Sequence, residues 1–229
     1  MGIRLHQWEI SPFCGKVRKI LALKSLDYEC VNYNGLAARK AAKLTEAGKL
    51  PVLEHDGQLI SDSSNIAAYL EALSPQPAVY PEHPADRAQA HFWEDWADES
   101  LYWFEVYFRF GPFSEAREKA FDHLCQGRPG YEKALMRMVA GPTMRRQLRT
   151  QGIGRYKPKE VEARFNAHCA QLSLLLRDKQ WLVGDRQSMA DIAITAQLDE
   201  MLRTSHLRDR ILAVPHLGEW LARNRSPFL

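Results

Sequence analysis

Chemistry in this chain concentrates at Ser11-Pro12-Phe13-Cys14, where a hydroxyl and a thiol stand three residues apart as an alternating segment gives way to a helical pattern. That spacing sets both side chains beside the unpaired N–H groups of a helix start. Those N–H groups and the positive end of the helix dipole favour an anion. A thiolate is such an anion, and helix N-termini lower a thiol pKa from about 8.5 toward or below neutrality. Two chemistries follow. Cys14 can be the thiolate, acting in disulfide exchange, or the Ser11 hydroxyl can donate a hydrogen bond to a thiolate carried by a ligand. A serine at this point is equally an ordinary N-cap.

The elements that must position these groups are legible around them. Residues 3–8 alternate apolar and polar and predict a strand. Val17, Ile20, Leu21 and Leu23 have helical spacing within 13–26, residues 28–33 read as a second strand, and the Ala- and Lys-rich stretch 36–47 reads as a helix. Val52-Leu53-Glu54, the turn Asp56-Gly57 and Leu59-Ile60 make a hairpin. Ser61 to Ser64 offer N-caps for a helix carrying Ile66, Ala67, Tyr69, Leu70 and Leu73. The order is βαβαββα over residues 1–76, then a proline-rich linker over 77–86 marked by Pro77, Pro81 and Pro84, with Pro75 just before it. Residues 87–229 predict an all-helical domain, with helices over 91–110, 159–177, 188–203 and 217–224. Residues 111–158 are ambiguous, and Gly111-Pro112 and Gly141-Pro142 read as breaks between helices.

Composition narrows the partners. The net charge of +3 in 229 residues is too mild to argue for nucleic acid. One stretch is locally basic: no acid lies between Lys133 and Lys159, while Arg137, Arg145, Arg146, Arg149, Arg155 and Lys157 fall there. It reads as a solvated surface or as a rim that attracts an anionic substrate. Cys14, Cys30, Cys125 and Cys169 form no CxxC pair, and none of the eight histidines has metal-like spacing, so no metal site is expected. No apolar run is long enough for a membrane span or a signal peptide, so no membrane partner is expected and the cytoplasm is the default address.

Three patterns together resemble the cytosolic glutathione transferases, across nearly the whole chain. Ser11-Pro12-Phe13 resembles the motif of the serine-type classes. Lys49-Leu50-Pro51-Val52-Leu53, followed by Ser61-Asp62-Ser63, resembles the glutathione-binding hairpin and helix start. Leu182-Val183-Gly184-Asp185 with Ser188 and Asp191 at capping-box spacing resembles the buried helix start of the second domain. The resemblance implies a thioredoxin-like α/β domain with a mixed sheet and an all-α domain. It implies glutathione as co-substrate, with no separate cofactor, and Ser11 as the catalytic residue. Phe13, Cys14, Lys49, Leu50, Pro51, Asp62 and Ser63 would bind the tripeptide. Pro51 would be cis, Asp62 would meet the γ-glutamyl ammonium and Ser63 the γ-glutamyl carboxylate.

Residues 92–113 are crowded with aromatics. A stripe at helical spacing is ordinarily core; the resemblance implies that Trp103, Tyr107 and Phe110 line a pocket for a hydrophobic electrophile. The implied activity is conjugation of glutathione, a detoxifying reaction, by a homodimer. A glutathione-dependent thiol-disulfide reductase using Cys14 stands as one alternative, and a non-catalytic binding protein of the same fold as another.

Overall fold

In the computed structural model, which describes residues 2–225, the alternating segment Ile3–Gln7 forms β1, with Ile3 and Leu5 turned into the core. Helix α1 (Pro12–Leu23) follows, with Ser11 as N-cap and Pro12 in the first turn, where a helix needs no N–H. Strand β2 (Tyr28–Asn32) pairs parallel to β1. After a 3₁₀ turn at Gly35–Ala37, helix α2 covers only Ala38–Ala41, far shorter than the predicted 36–47. Of α2 only Ala41 is buried, and a short helix without packing has little to hold it.

Strand β3 (Val52–His55) runs antiparallel to β1, and β4 (Gln58–Ser61) antiparallel to β3, giving the sheet order β2-β1-β3-β4. Asp56 and Gly57 take φ of 49° and 78°, the left-handed values that a two-residue hairpin demands. Helix α3 (Ser63–Leu73) completes the thioredoxin-like unit.

The rest of the described chain is helical. Helix α4 (Pro84–Trp96), a π turn at Ala97–Leu101 and α5 (Tyr102–Phe110) form one nearly continuous rod. Then come α6 (Ser114–Leu124), α7 (Gly130–Gln151), α8 (Pro158–Leu176), α9 (Met189–Thr204), α10 (Arg208–Leu212) and α11 (Leu217–Arg223). The two Gly-Pro pairs behave differently. Gly111-Pro112 separates α5 from α6, as expected, whereas Gly141-Pro142 lies inside α7. Pro142 is exposed, so the carbonyl it leaves without an N–H partner is within reach of water. Thr143 Oγ1 donates to the Val139 carbonyl at 2.8 Å in the same turn.

The basic residues of α1 do not face water. Lys16, Arg18 and Lys19 are all buried between the sheet and the helical half. Lys19 Nζ lies 2.7 Å from Asp199 of α9, and Arg18 donates to Gln7 Oε1 at 2.6 Å and to the Glu9 carbonyl at 2.9 Å. A buried cation is tolerated only with such partners. These contacts fix the helix that carries Ser11 against both halves.

Candidate active site

Two adjoining cavities open around the N-terminus of α1. The first, about 740 Å³, is walled by Phe13, Lys49, Leu50, Pro51, Asp62 and Ser63, and across from them by His91, Glu94, Asp95, Asp98 and Glu99. The second, about 1090 Å³, takes Ser11 into its wall together with Trp8, Ile10, Tyr102, Trp103, Val106 and Phe110. Phe13, Lys49, Leu50, Asp98 and Glu99 border both.

The Ser11 hydroxyl accepts a long hydrogen bond, 3.4 Å, from the Cys14 N–H. Its own hydrogen can turn toward the Cys14 sulfur behind it or toward the cavity in front. The loop beneath is pinned. Ser11 N–H bonds the Trp8 carbonyl at 3.0 Å, and Arg109 Nη1 bonds the Ile10 carbonyl at 3.0 Å. Arg109 is held in turn by Glu105 at 2.5 Å and Glu200 at 3.3 Å. Burial pushes both of those carboxyls up to about 7, although Arg109 opposes the shift.

Cys14 is turned inward, as its place inside the first turn of α1 leads one to expect, and so does not take the glutathione-binding place that the resemblance implied. Its side chain is fully buried and lines neither cavity. Burial pushes the thiol up to about 11, outweighing the hydrogen bond from Ser11 and the charge of Arg18. The helix start does act on this sulfur, yet desolvation dominates, because the third residue of α1 turns inward onto the core. Contact between the Cys14 side chain and glutathione is therefore not supported.

The Leu50-Pro51 peptide is cis, as the resemblance implied. Asp62 caps α3 with a φ of 74°, and its Oδ1 accepts from the Ser64 and Asn65 N–H groups at 2.9 and 3.2 Å. A non-glycine residue in that region is strained. The conformation sets the exposed Asp62 carboxylate and the buried Ser63 side by side at the wall of the first cavity.

Trp103 and Phe110 line the second cavity, but Tyr107 does not. It is buried on the neighbouring face of α5, edge-on to Phe108 and Phe113 with centroids 5.6 and 6.2 Å away. The lining stripe runs instead through Tyr102, Val106 and Arg109, so the pocket face is rotated from the one expected.

Sequence reasoning missed the acidic wall. Glu94, Asp95, Asp98 and Glu99 recur at helical spacing, a signal the aromatics between them obscured. At its centre the buried Lys16 Nζ contacts Glu94 Oε1 at 3.0 Å, Asp98 Oδ2 at 2.6 Å and Ser64 Oγ at 3.2 Å. Burial works against the Glu94 carboxylate. Lys16, together with hydroxyl donors on Tyr80 and Ser64, nevertheless holds it below the usual range. Asp98 shares the same lysine but has a buried Oδ1 without a hydrogen-bond partner, and burial pushes it up to about 6.

Family models decide the kinship. One for the glutathione S-transferase N-terminal domain matches residues 5–78, and one for the glutathione S-transferase C-terminal domain matches residues 144–226. The chain belongs to the glutathione S-transferase family. Glutathione S-transferase U16 of Arabidopsis thaliana is 33% identical over 140 residues, covering 57% of this chain and 58% of that protein. A probable glutathione S-transferase of Solanum tuberosum is 27% identical over 128 residues, covering 53% and 58%. The chain thus spans little more than half the length of these curated relatives. A glutathione S-transferase structure from Rhodospirillum rubrum superposes with a TM-score of 0.65 at 26% identity, covering 98% of this chain and 88% of that one. The β-etherase LigF from Sphingobium shares the fold, with a TM-score of 0.61 at 22% identity over 97% and 100% of the two chains. Within the family fold, the first cavity lies against the cis-proline hairpin and the second against the helical half.

Proposed function

We propose that this chain joins glutathione to apolar electrophiles, with Ser11 as hydrogen-bond donor to the reacting thiolate. The observation that carries the reading is the junction. A cavity with charged groups meets a largely apolar one at Phe13, Lys49 and Leu50, and Ser11 stands in the wall of the second. Glutathione in the first cavity offers an ammonium to Asp62 and the acidic wall, carboxylates to Lys49 and the α3 N-terminus, and its sulfur toward Ser11. Binding as the thiolate releases the thiol proton to solvent. The sulfur then forms a bond to the electrophilic carbon; in a substitution the leaving group departs with the bonding pair, and in a conjugate addition the resulting carbanion takes a proton from solvent. The cavities supply proximity and Ser11 supplies electrostatic stabilisation.

The depth and high pKa of Cys14 weigh against disulfide exchange, which needs an accessible thiolate in line with the disulfide. Four free cysteines fit a reducing compartment such as the cytoplasm, where a detoxifying conjugation would run. Exposed Leu59 on β4, Leu73 on α3 and Phe92 on α4 fit burial in a homodimer. The test is turnover of glutathione with aryl halides and conjugate acceptors, set beside a mixed disulfide. We expect turnover of the electrophiles. Turnover of the disulfide alone would overturn the reading, and failure to bind glutathione at all would favour a non-catalytic protein.

A further inference from the structure

Helix α7 is apolar on two faces. Met136, Ala140 and Met144 look inward and line the second cavity. On the opposite side Tyr131, Leu135, Met138 and Val139 are 63%, 42%, 73% and 66% exposed, one turn apart along a single stripe. An apolar stripe on a helix ordinarily faces a packing partner. The same exposed face continues past Pro142 into Arg145 and Arg149, both exposed and with no ion pair among the described residues, while Arg146 lies at the rim and lines the second cavity. Two cations flanking the apolar half, Lys133 and Arg137, are already engaged by Asp122 and Glu118 of α6. The outer face of α7 is therefore apolar at one end and uncompensated positive charge at the other.

We infer that this face docks on an anionic membrane surface, laying Tyr131, Leu135, Met138 and Val139 at the headgroup–acyl boundary and the arginines against the headgroups. Several observations favour a bilayer over a protein. A stable protein interface takes about 20 residues a side, whereas shallow insertion into a membrane needs only a short apolar stripe with adjacent basic residues. A second copy of this face would bring no negative charge to meet the arginines. The stripe also lies away from the exposed leucines of β4 and α3. The N-terminus of α7 seats on the β2 edge of the sheet, where Glu132 Oε2 accepts from the Leu36 N–H at 2.8 Å and Asn34 donates to the Gln126 carbonyl at 2.9 Å. Among the described residues no helix is long and apolar enough to cross a membrane, so contact is peripheral. The expectation of no membrane partner, drawn from the lack of a span, does not extend to a surface assembled by folding. One consequence rests on the proposed conjugation: the helix that meets the bilayer also walls the cavity for apolar electrophiles, so substrates dissolved in lipid would enter beneath it.

The test is sedimentation of the full chain with phosphatidylcholine vesicles and with equimolar phosphatidylcholine–phosphatidylserine vesicles. We expect sedimentation with the second only, weakened by salt. Met138→Glu and the pair Arg145→Glu/Arg149→Glu should each lower it about tenfold or more. None of these side chains lines either cavity, so conjugation of a water-soluble electrophile should be unchanged in the variants, which also shows that they fold. The inference fails if the chain sediments with neither vesicle, or equally well with both. It fails if the variants bind like the parent, which would put the membrane contact elsewhere. Self-association abolished by Met138→Glu would assign the face to a second copy, and capture by polyglutamate without vesicle binding would assign it to an acidic protein. Vesicle sedimentation needs no turnover, so an inactive protein would overturn the proposed function and leave this test intact.

Discussion

Among the described residues two serines cap the N-termini of helices, and only one of them opens onto a cavity. Ser188 starts α9 at 1% exposure. Its hydroxyl donates to Asp191 Oδ2 at 3.1 Å, and the same oxygen accepts the Ser188 N–H at 3.0 Å, closing a capping box. Asp191 Oδ1 accepts further from Leu182 N–H at 2.9 Å and Trp220 Nε1 at 2.8 Å. The Leu182 and Ser188 N–H groups, the Ser188 hydroxyl and the Trp220 indole N–H are all spent on this one carboxylate within the fold. Ser11 starts α1 with a single long bond to the Cys14 N–H and faces the second cavity. The same residue type at the same position in a helix thus holds structure in one place and can meet a ligand in the other. The difference lies in what surrounds the cap, not in the cap itself.

Substitutions at the two caps should separate cleanly. Ser11→Ala should lower conjugation by about 10- to 1000-fold, the range for one lost oxyanion-type donor or somewhat less, with little change in melting. Cys14→Ser should keep most of the rate, since its thiol reaches neither cavity. Steady-state kinetics with an aryl halide checks both. At the other cap, Asp191→Ala should cost about 3 kcal/mol of stability, because the Leu182, Ser188 and Trp220 donors are left buried without an acceptor. Urea unfolding measures that cost, and an Asp191→Ala protein as stable as the parent would break the comparison.

Much of this could be read from residue order, and the failures share a cause. Strand alternation, the Asp56-Gly57 turn and the helical stripe of α1 are local signals, and the structure follows them. The Ser188–Asp191 box was legible for the same reason. What could not be read was the direction of a side chain relative to a partner distant in sequence. Tyr107 turned toward Phe113, because packing within the helical half chose its face, whereas the inward turn of Cys14 follows from its place in the first turn of α1 and was legible. The acidic wall of the first cavity forms only when α4 and the π turn are set against α3. Gly141-Pro142 looks like a break, but an exposed helix tolerates it where water can take the freed carbonyl.

Smaller effects sharpen the contrast at the ligand side. Glutathione at about 100 times its dissociation constant should stabilise the protein by about 2.7 kcal/mol, seen as a rise in melting temperature. Asp62→Ala and Ser63→Ala should weaken glutathione binding in calorimetry without unfolding the chain. Smallest is the pH effect. Asp98, pushed up to about 6, is mostly protonated below that value and ionised above it. The negative charge it adds to the first cavity favours the ammonium of glutathione, so affinity should rise a few-fold, about fivefold at most, as pH passes upward through 6. Isothermal titration at fixed ionic strength reads it, and affinity that falls over the same interval would contradict the placement of the ammonium.

The central claim is that the Ser11 hydroxyl stabilises the thiolate of bound glutathione. Its most direct test is the pKa of that thiol, followed by ultraviolet thiolate absorbance as pH is raised in saturating glutathione. In the parent protein the bound thiol should ionise well below the free value of about 8.5. Ser11→Ala should move it back up by about one unit or more, the worth of a hydrogen bond to a charged group, while Cys14→Ser should leave it where it was. A bound thiol that ionises at its free value, or a depression that survives Ser11→Ala and vanishes in Cys14→Ser, would contradict the account.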